Sequence, residues 1–585
     1  MRITTSKSKN SESFYITHSY INHEGKSTSK TFKRLGTLAE LSKILDTDRE
    51  GVMAWAKEQA RIETEKYNRE RETIRVPLSP VKQIDKDKDR IFNIGYLFLQ
   101  SILSELRLDN ITRNIKSRYK FEYNLEAILK DLIYARILSP SSKRTSYEFS
   151  QTLLEKPKYE LHDVYRALSV LAQESDYIQE EVYKNSNFIS QRNTEILYYD
   201  CTNYYFEIEQ EDDFRKYGKS KENRPNPIVG MGLFMDANGM PLAFHMYPGN
   251  QNEQTTLRPL ETKIIRDFEV SDFVVSTDGG LGSKANKLFN TAGNRGYVVT
   301  QSLKKLKKED KEIALKPTQW RLIGSNKFIN LNDLDETDPA IFEAVYYKEI
   351  PLDSKELTET LIVTYSPKYK KYLQTIRNKQ IERAYDLVQK NGKLKKRRNQ
   401  NDPTRFLEEI AITEQGEIAD KKHYVVKQSI IDEEAQYDGF YGIVTNLDDR
   451  VEDVIKVNKY RWKIEECFRI MKTEFEAQPI FLSREDRINA HFLTCFLSLV
   501  VYRNLEYKLQ ETVKKNKLKT NISITQVINT LKGMNTCLLD SHGYIPAYTR
   551  TDMTDLLHDT FGFNTDYEIM RKSTMRNIIK KSKEK

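Results

Sequence analysis

The sequence predicts an α/β fold, a mixed sheet with flanking helices, and three observations point to it. Near residue 194 the pattern changes to compact apolar runs: EILYYD (195–200), IVGMGLFMD (228–236) and PLAFHMYPG (241–249). Each has the length and composition of a strand. Ala237-Asn238-Gly239 joins the second run to the third as a hairpin turn. Beyond them, helical and strand patterns alternate. TTLRPLETKIIRDF (255–268) carries Leu257, Leu260, Ile264 and Phe268 at helical spacing, and DFVVSTDGG (272–280) is a fourth strand. SKANKLFNTAG (283–293) is a short helix and GYVVTQSL (296–303) a fifth strand. Three antiparallel strands leading into βα units, β-β-β-α-β-α-β, is the order of a ribonuclease-H-like domain.

Ahead of this core, residues 13–36 alternate around Asn22-His23-Glu24-Gly25 and read as a β-hairpin; 38–72 turn helical and highly charged. Pro77-Leu78-Ser79-Pro80 marks a boundary, so 1–80 is expected to be an N-terminal β-hairpin plus helix. A helical domain spans 90–190, with Phe98, Leu99, Ile102, Leu103 and Leu106 at helix spacing and an interruption at 138–143. The first part of the core is 194–303. Residues 304–455 interrupt it as a β-rich insertion domain. They hold the charged run KKLKKEDKE, the strand-like AVYYKEI, TLIVTYS and YGIVTNL, a charged helix at about 368–390 and the basic KLKKRR at 393–398. The second part of the core, 456–513, is expected to contain one helix over 453–476 and a buried one over 486–513. A basic C-terminal region, 514–585, ends in RKSTMRNIIKKSKEK, expected to be loosely ordered.

Composition narrows the function classes. A net charge of +9 over 585 residues, with both signs abundant, suits a partner rich in phosphates. Cys201, Cys467, Cys495 and Cys537 form no CxxC pair, which argues against a structural zinc site and fits a reducing cytoplasm. MRITTSKSKNSESF lacks an apolar signal core, and the longest apolar run, Phe492 to Tyr502, is too short to span a bilayer. The expectation is a cytoplasmic protein without a membrane segment.

Three acids stand out. Phosphodiester cleavage uses two divalent metals gripped by carboxylates on rigid elements. Asp200 follows the apolar run of the first strand; Asp278 ends the fourth and precedes Gly279-Gly280. Taken singly, either Asp reads equally as a turn or cap residue. The third acid lies in NKYRWKIEECFRIMK (458–472), whose Ile464, Phe468 and Met471, with Phe475 beyond, form a docking stripe. On a continuous helix Arg461, Glu465 and Lys472 fall within roughly 40° of one another, a carboxylate flanked by two cations. The alternative is a solvated Arg461–Glu465 salt bridge, and Glu466, about 100° around the helix, is the competing acid.

These segments carry a resemblance. YYDCTNYYFE (198–207), GKSKENRPNPIVGMGLFMDANGMPLAFHMYPGN (218–250), STDGG (276–280), YDGFYGIVTNL (437–447), YRWKIEECFRIMK (460–472) and AHFLTCFLSLVVYRNLE (490–506) resemble the DDE transposases of bacterial insertion sequences. The likeness is to the insertion-sequence-four superfamily, in its sixteen-thirty-four branch, and covers about 90 to 510. Arg461, Glu465 and Lys472 fit that family's Tyr-x2-Arg-x3-Glu-x6-Lys spacing; its Tyr position is Asn458 here. The resemblance implies Asp200, Asp278 and Glu465 as catalytic ligands of two Mg2+ or Mn2+ ions and Arg461 and Lys472 as DNA-binding. It implies metal-dependent cleavage and strand transfer of the element's own DNA, with terminal inverted repeats and target DNA as partners and a homodimer bridging two ends. The alternatives are a ribonuclease-H-fold nuclease without transposition and an inactive transposon-derived DNA-binding protein. End binding is assigned to the N-terminal 190 residues. Trp320 reads as a core side chain or a base-stacking one, and His245 and His491 as buried, hydrogen-bonded histidines. Lys219, Lys221 and Arg224 are candidates for lining the approach to the acids, with Asn250 and Glu253 ranked lower.

Overall fold

The runs between 194 and 303 form five strands: β1 (Ile196–Tyr205), β2 (Ile228–Asp236), β3 (Pro241–Pro248), β4 (Val274–Thr277) and β5 (Gly296–Gln301). β1, β2 and β3 pair antiparallel, while β4 runs parallel to β1 and β5 parallel to β4. Helices α1 (Leu257–Asp267) and α2 (Lys284–Phe289) fill the crossovers. This is the ribonuclease-H-like mixed sheet expected from the sequence. The structure is a computed structural model and describes residues 1–9, 11–21, 26–70, 73–353, 356–389, 401–412, 418–518, 522–540 and 542–584. The expected turn at 22–25 and the basic run at 393–398 lie outside them.

β1 is buried on both faces, and its alternation sorts the two cores. Leu197, Tyr199 and Cys201 pack with Leu257, Leu260 and Ile264 of α1. Tyr198 and Tyr204 belong to the opposite core, with α3 (Val451–Tyr460), α4 (Trp462–Arg469) and α5 (Glu485–Lys515) on that side. The helices between Tyr96 and Ser186 bury Phe98, Leu99 and Ile102 in this same core, together with Phe492, Phe496 and Val500 of α5. The apolar run 492–502 is therefore core, and among the described residues no helix is long and apolar enough to cross a membrane.

The segment after β5 does not stand wholly apart. β6 (Trp320–Leu322), β7 (Phe328–Ile329), β8 (Tyr346–Asp353), β9 (Thr358–Tyr365) and β10 (Phe440–Thr445) extend the sheet to ten strands, in the order β7-β6-β8-β9-β10-β5-β4-β1-β2-β3. β10 lies antiparallel on β5 and meets the backbone groups that edge would otherwise expose. The helix Pro367–Gln389 and the pair Leu407–Ile412/Ile418–Val426 build a small core of their own around Ala384 and Phe406.

Some expectations are corrected and others are met. The helix read as continuous over 453–476 is three pieces: α3, α4 and a π-helical turn at Ile470–Glu474. The C-terminal tail is ordered, because Lys572–Lys581 is a helix that buries Met575 and Ile578. Trp320 is fully buried, donates Nε1 to the Lys316 carbonyl at 2.8 Å and packs on Tyr365 and Phe440, so it is a core side chain. His491 is buried, with Nε2 3.0 Å from the Ala477 carbonyl, but His245 is exposed on β3.

By contact the chain divides into two units, Met1–Lys88 with Asp540–His542, and the remainder. In the first, Ser11–Ile21 and Ser27–Thr37 pair as the expected hairpin, and Arg2–Ser8 adds a third strand that its polar sequence concealed. Phe14, Leu41, Val52 and Ala56 form its core beneath helices Leu38–Leu45 and Arg49–Glu70.

Candidate active site

The parallel register aligns the strand acids. Tyr198 of β1 is level with Ser276 of β4, and Ser276 with Val298 of β5. Two residues further on, Asp200, Asp278 and Thr300 continue one row across three neighbouring strand lines, spaced about 4.8 Å apart. Asp200 stands in the middle of β1 rather than at its end; it is β4 that stops, at Thr277, and leaves Asp200 beside an open edge. Side chains of one row point to one face. That face is the helical one, since Tyr198 packs on Tyr460 (centroids 5.5 Å) and Val298 clusters with Val454 and Ile455 of α3.

Two contacts fix how α4 crosses the row. Tyr198 meets Tyr460, and Tyr204 meets Met471, its hydroxyl 3.8 Å from Sδ. Helix and strand therefore advance together. From Tyr198 to Asp200 is about 7 Å along the strand. The same advance from Tyr460 takes roughly four to five helical residues, which reaches Glu465. Glu465 is exposed, and among the described residues no ion pair engages it. Its neighbour Glu466 is held by Lys463 at 2.7 Å and by the buried Arg503 at 2.8 Å, so of the two glutamates Glu465 is the one without an ion pair among the described residues. Asp200, Asp278 and Glu465 are not drawn tightly together. Among the described residues the only three His, Cys or acidic side chains whose ligand atoms lie within 4.8 Å of one another are Asp555, His558 and Asp566. There the Arg550 guanidinium already serves as counter-charge, 2.6 Å from Asp555.

The surroundings of the row are electrostatically strained. Burial pushes the Asp200 carboxyl up to about 6, and the charge of Asp278 adds to that; Lys221, the Cys201 amide and Arg461 oppose it. A buried carboxylate with a second one on the next strand line is what a hard divalent cation relieves, so the donor set fits such an ion. Asp278 accepts the Leu281 amide at 3.1 Å. A side chain at Gly279 would meet the Thr300 carbonyl at 2.6 Å, so the turn after Asp278 requires glycine to lie against β5.

Arg461 does not pair with Glu465. Its guanidinium donates to Thr300 Oγ1 at 3.1 Å, and Asn458 and Tyr441 complete the cluster: Thr300 Oγ1 is 3.3 Å from Asn458 Oδ1 and 2.9 Å from the Tyr441 hydroxyl, which Asn458 Nδ2 reaches at 3.2 Å. Sequence reasoning missed Thr300 and Tyr441. A hydroxyl from β10 thus stands beside the position where the signature expects a tyrosine. Lys472 lies in the π turn, over the Tyr204 ring and 2.9 Å from Glu222. It is some 13 Å along β1 from Asp200, so the structure does not bring it to the row as it does Arg461. Of the candidates on the 218–224 loop, Lys221 reaches the Cys201 carbonyl and Arg224 stacks 4.0 Å over Tyr205.

A five-strand core in the order 3-2-1-4-5, three strands antiparallel and two joined to them in parallel, defines a ribonuclease-H-like protein. The chain matches the transposase DDE domain family over residues 194–501, more than half its length, and belongs to that family. The family's chemistry is DNA transposition with divalent metal ions. No curated protein matches the sequence. Among solved structures, the piggyBac transposase in its synaptic complex with hairpin DNA aligns at 8% identity over 83% of each chain, with a TM-score of 0.34.

Proposed function

We propose that this chain is the transposase of a bacterial insertion sequence, of the insertion-sequence-four superfamily and its sixteen-thirty-four branch, which cuts its element out and joins it to target DNA. The observation that supports the reading most is the row Asp200–Asp278–Thr300 on neighbouring strand lines, with Arg461 bonded to Thr300. Asp200, Asp278 and Glu465 hold two Mg2+ or Mn2+ ions. When bound, those ions activate the attacking oxygen and stabilise the leaving one. Arg461, steadied by Thr300, takes a phosphate beside the acids, and Lys472 takes a neighbouring one when it leaves Glu222. Water nicks the element's end and the freed 3′-hydroxyl attacks the target phosphodiester, without a covalent protein link. The N-terminal 190 residues bind the terminal inverted repeats, and a homodimer brings two ends together at the cytoplasmic nucleoid.

The test is a duplex bearing the terminal repeat, incubated with the purified full-length chain. Mg2+ or Mn2+ supports nicking and chelation stops it. Asp200→Ala binds the same duplex with unchanged affinity and leaves it intact. Nicking by Asp200→Ala at the wild-type rate refutes the assignment.

A further inference from the structure

One acid outside the family's triad lies in a turn tied to the loop that follows Asp278. β3 ends at Pro248, and the turn that follows opens a short 3-10 helix, Glu253–Thr255, capped by Asn252 whose side chain accepts the Gln254 amide at 3.0 Å. Gln254 then donates Nε2 to the Gly280 carbonyl at 2.9 Å, and Asn286 donates to the Gln254 carbonyl at 3.0 Å. Glu253 is therefore fixed beside the Asp278-Gly279-Gly280 turn.

Facing it is a lysine whose backbone is equally fixed. Asn203 of β1 clamps the 219–221 segment at both ends, donating to the Lys219 carbonyl at 3.0 Å and accepting the Lys221 amide at 3.1 Å. The Lys221 ammonium reaches back to two kinds of oxygen. It donates to the Cys201 carbonyl on the open edge of β1 and lies 3.5 Å from Glu253 Oε1, next to Asp200, whose carboxyl its charge holds down against the upward push of burial. Both side chains are about two-fifths exposed, so solvent and ions reach them. A carboxylate and a backbone carbonyl meet at this ammonium, and the carbonyl belongs to the residue that follows Asp200, so hard-oxygen donors of the kind a divalent cation takes lie side by side here. A single ammonium neutralises one of the two acids, Glu253 or Asp200, whereas a divalent cation matches both.

We propose that Glu253 is a fourth carboxylate serving the divalent-metal site, and that Lys221, held between Glu253 and the Cys201 carbonyl beside Asp200, competes with a metal ion for that place. Loading of the site then swings the lysine outward, towards the approach that DNA phosphates take. The inference rests on Asp200 being a metal ligand, and the experiment separates the two claims.

Mn2+ is titrated into the full-length chain without DNA, and free Mn2+ is read by its electron paramagnetic resonance signal. Glu253→Gln is expected to weaken binding about tenfold or more, the usual effect of losing a supporting carboxylate. Lys221→Met is expected to tighten it by a similar factor, and the double variant to lose that gain. Asp200→Ala abolishes tight binding. Wild-type affinity in Glu253→Gln overturns the proposal, as does unchanged or weakened affinity in Lys221→Met. Should Asp200→Ala also bind like wild type, the metal-site reading itself fails; loss in Asp200→Ala with none in Glu253→Gln removes only the fourth acid.

Discussion

Adjacent glutamates on α4 are expected to behave in opposite ways. Glu466 ties Lys463 to Arg503, and Arg503 is 2% exposed, with its remaining contacts to Glu506 at 2.7 Å and Cys467 Sγ at 3.5 Å. Removing one partner of a buried ion pair costs about 3–5 kcal/mol. Because Arg503 keeps Glu506, the loss in Glu466→Ala falls below that range, to about 2–3 kcal/mol, and in a unit of this size that lowers the melting temperature by only a few degrees. Glu465→Ala removes an exposed side chain and should change stability by less than about 0.5 kcal/mol, while nicking of end DNA falls on the order of 10²–10³-fold or more, the scale of losing a transition-state contact. The assay pairs denaturant unfolding with nicking at a permissive temperature for both variants. Retained nicking in Glu465→Ala together with lost nicking in a folded Glu466→Ala would exchange the two roles and refute the placement of α4 over the row.

Three further outcomes are expected. Arg461→Ala weakens binding to end DNA of any sequence and lowers the slope of log affinity against log salt by about 0.9, one phosphate's worth; an unchanged slope removes Arg461 from the interface. Glu261 is fully buried and burial pushes its carboxyl up to about 7, against the Asn290 amide it accepts at 2.8 Å. Its contribution to stability is full below about 4.5 and is lost as pH rises through about 7, so Glu261→Gln raises the melting temperature at pH 8 and leaves it unchanged at pH 4.5; equal shifts at both values contradict this. Asp236 ends β2 fully buried, bound by Arg192 at 2.5 Å and by the Asn238 and Met240 amides at 3.0 and 2.9 Å, so Asp236→Ala should cost about 3–5 kcal/mol in urea unfolding.

The sheet was legible because its signal is local. EILYYD, IVGMGLFMD and DFVVSTDGG are apolar at strand length, and Gly239, at φ +82°, closes the hairpin where Asn-Gly predicts it. What escaped depends on contacts between distant segments. Tyr441 reaches Asn458 and Thr300 across strands that pairing alone brings together, and no periodicity encodes that. β8, β9 and β10 read as strands, yet nothing in their sequences states that they join β5 rather than form a separate sheet. The helix arithmetic for Arg461, Glu465 and Lys472 assumed 3.6 residues per turn throughout. The chain tightens at Arg461, whose carbonyl accepts Ile464 in an i to i+3 bond, and loosens at 470–474, where Phe475 bonds Ile470. Glu465 lies between the two irregularities, whereas Lys472 lies inside the second, so the shared helix face read for Arg461, Glu465 and Lys472 does not extend to Lys472.

The central claim is that acids from β1, the end of β4 and α4 serve one metal site. Iron-directed self-cleavage tests it most directly: the full-length chain is loaded with Fe2+ in place of Mg2+, exposed to ascorbate and peroxide, and the fragments are mapped by mass. Backbone scission clustered near Asp200, Asp278 and Glu465, suppressed by excess Mg2+ and absent in Asp200→Ala, is the predicted result. Scission confined to the neighbourhood of Asp555, His558 and Asp566, unaffected by Asp200→Ala, would contradict it.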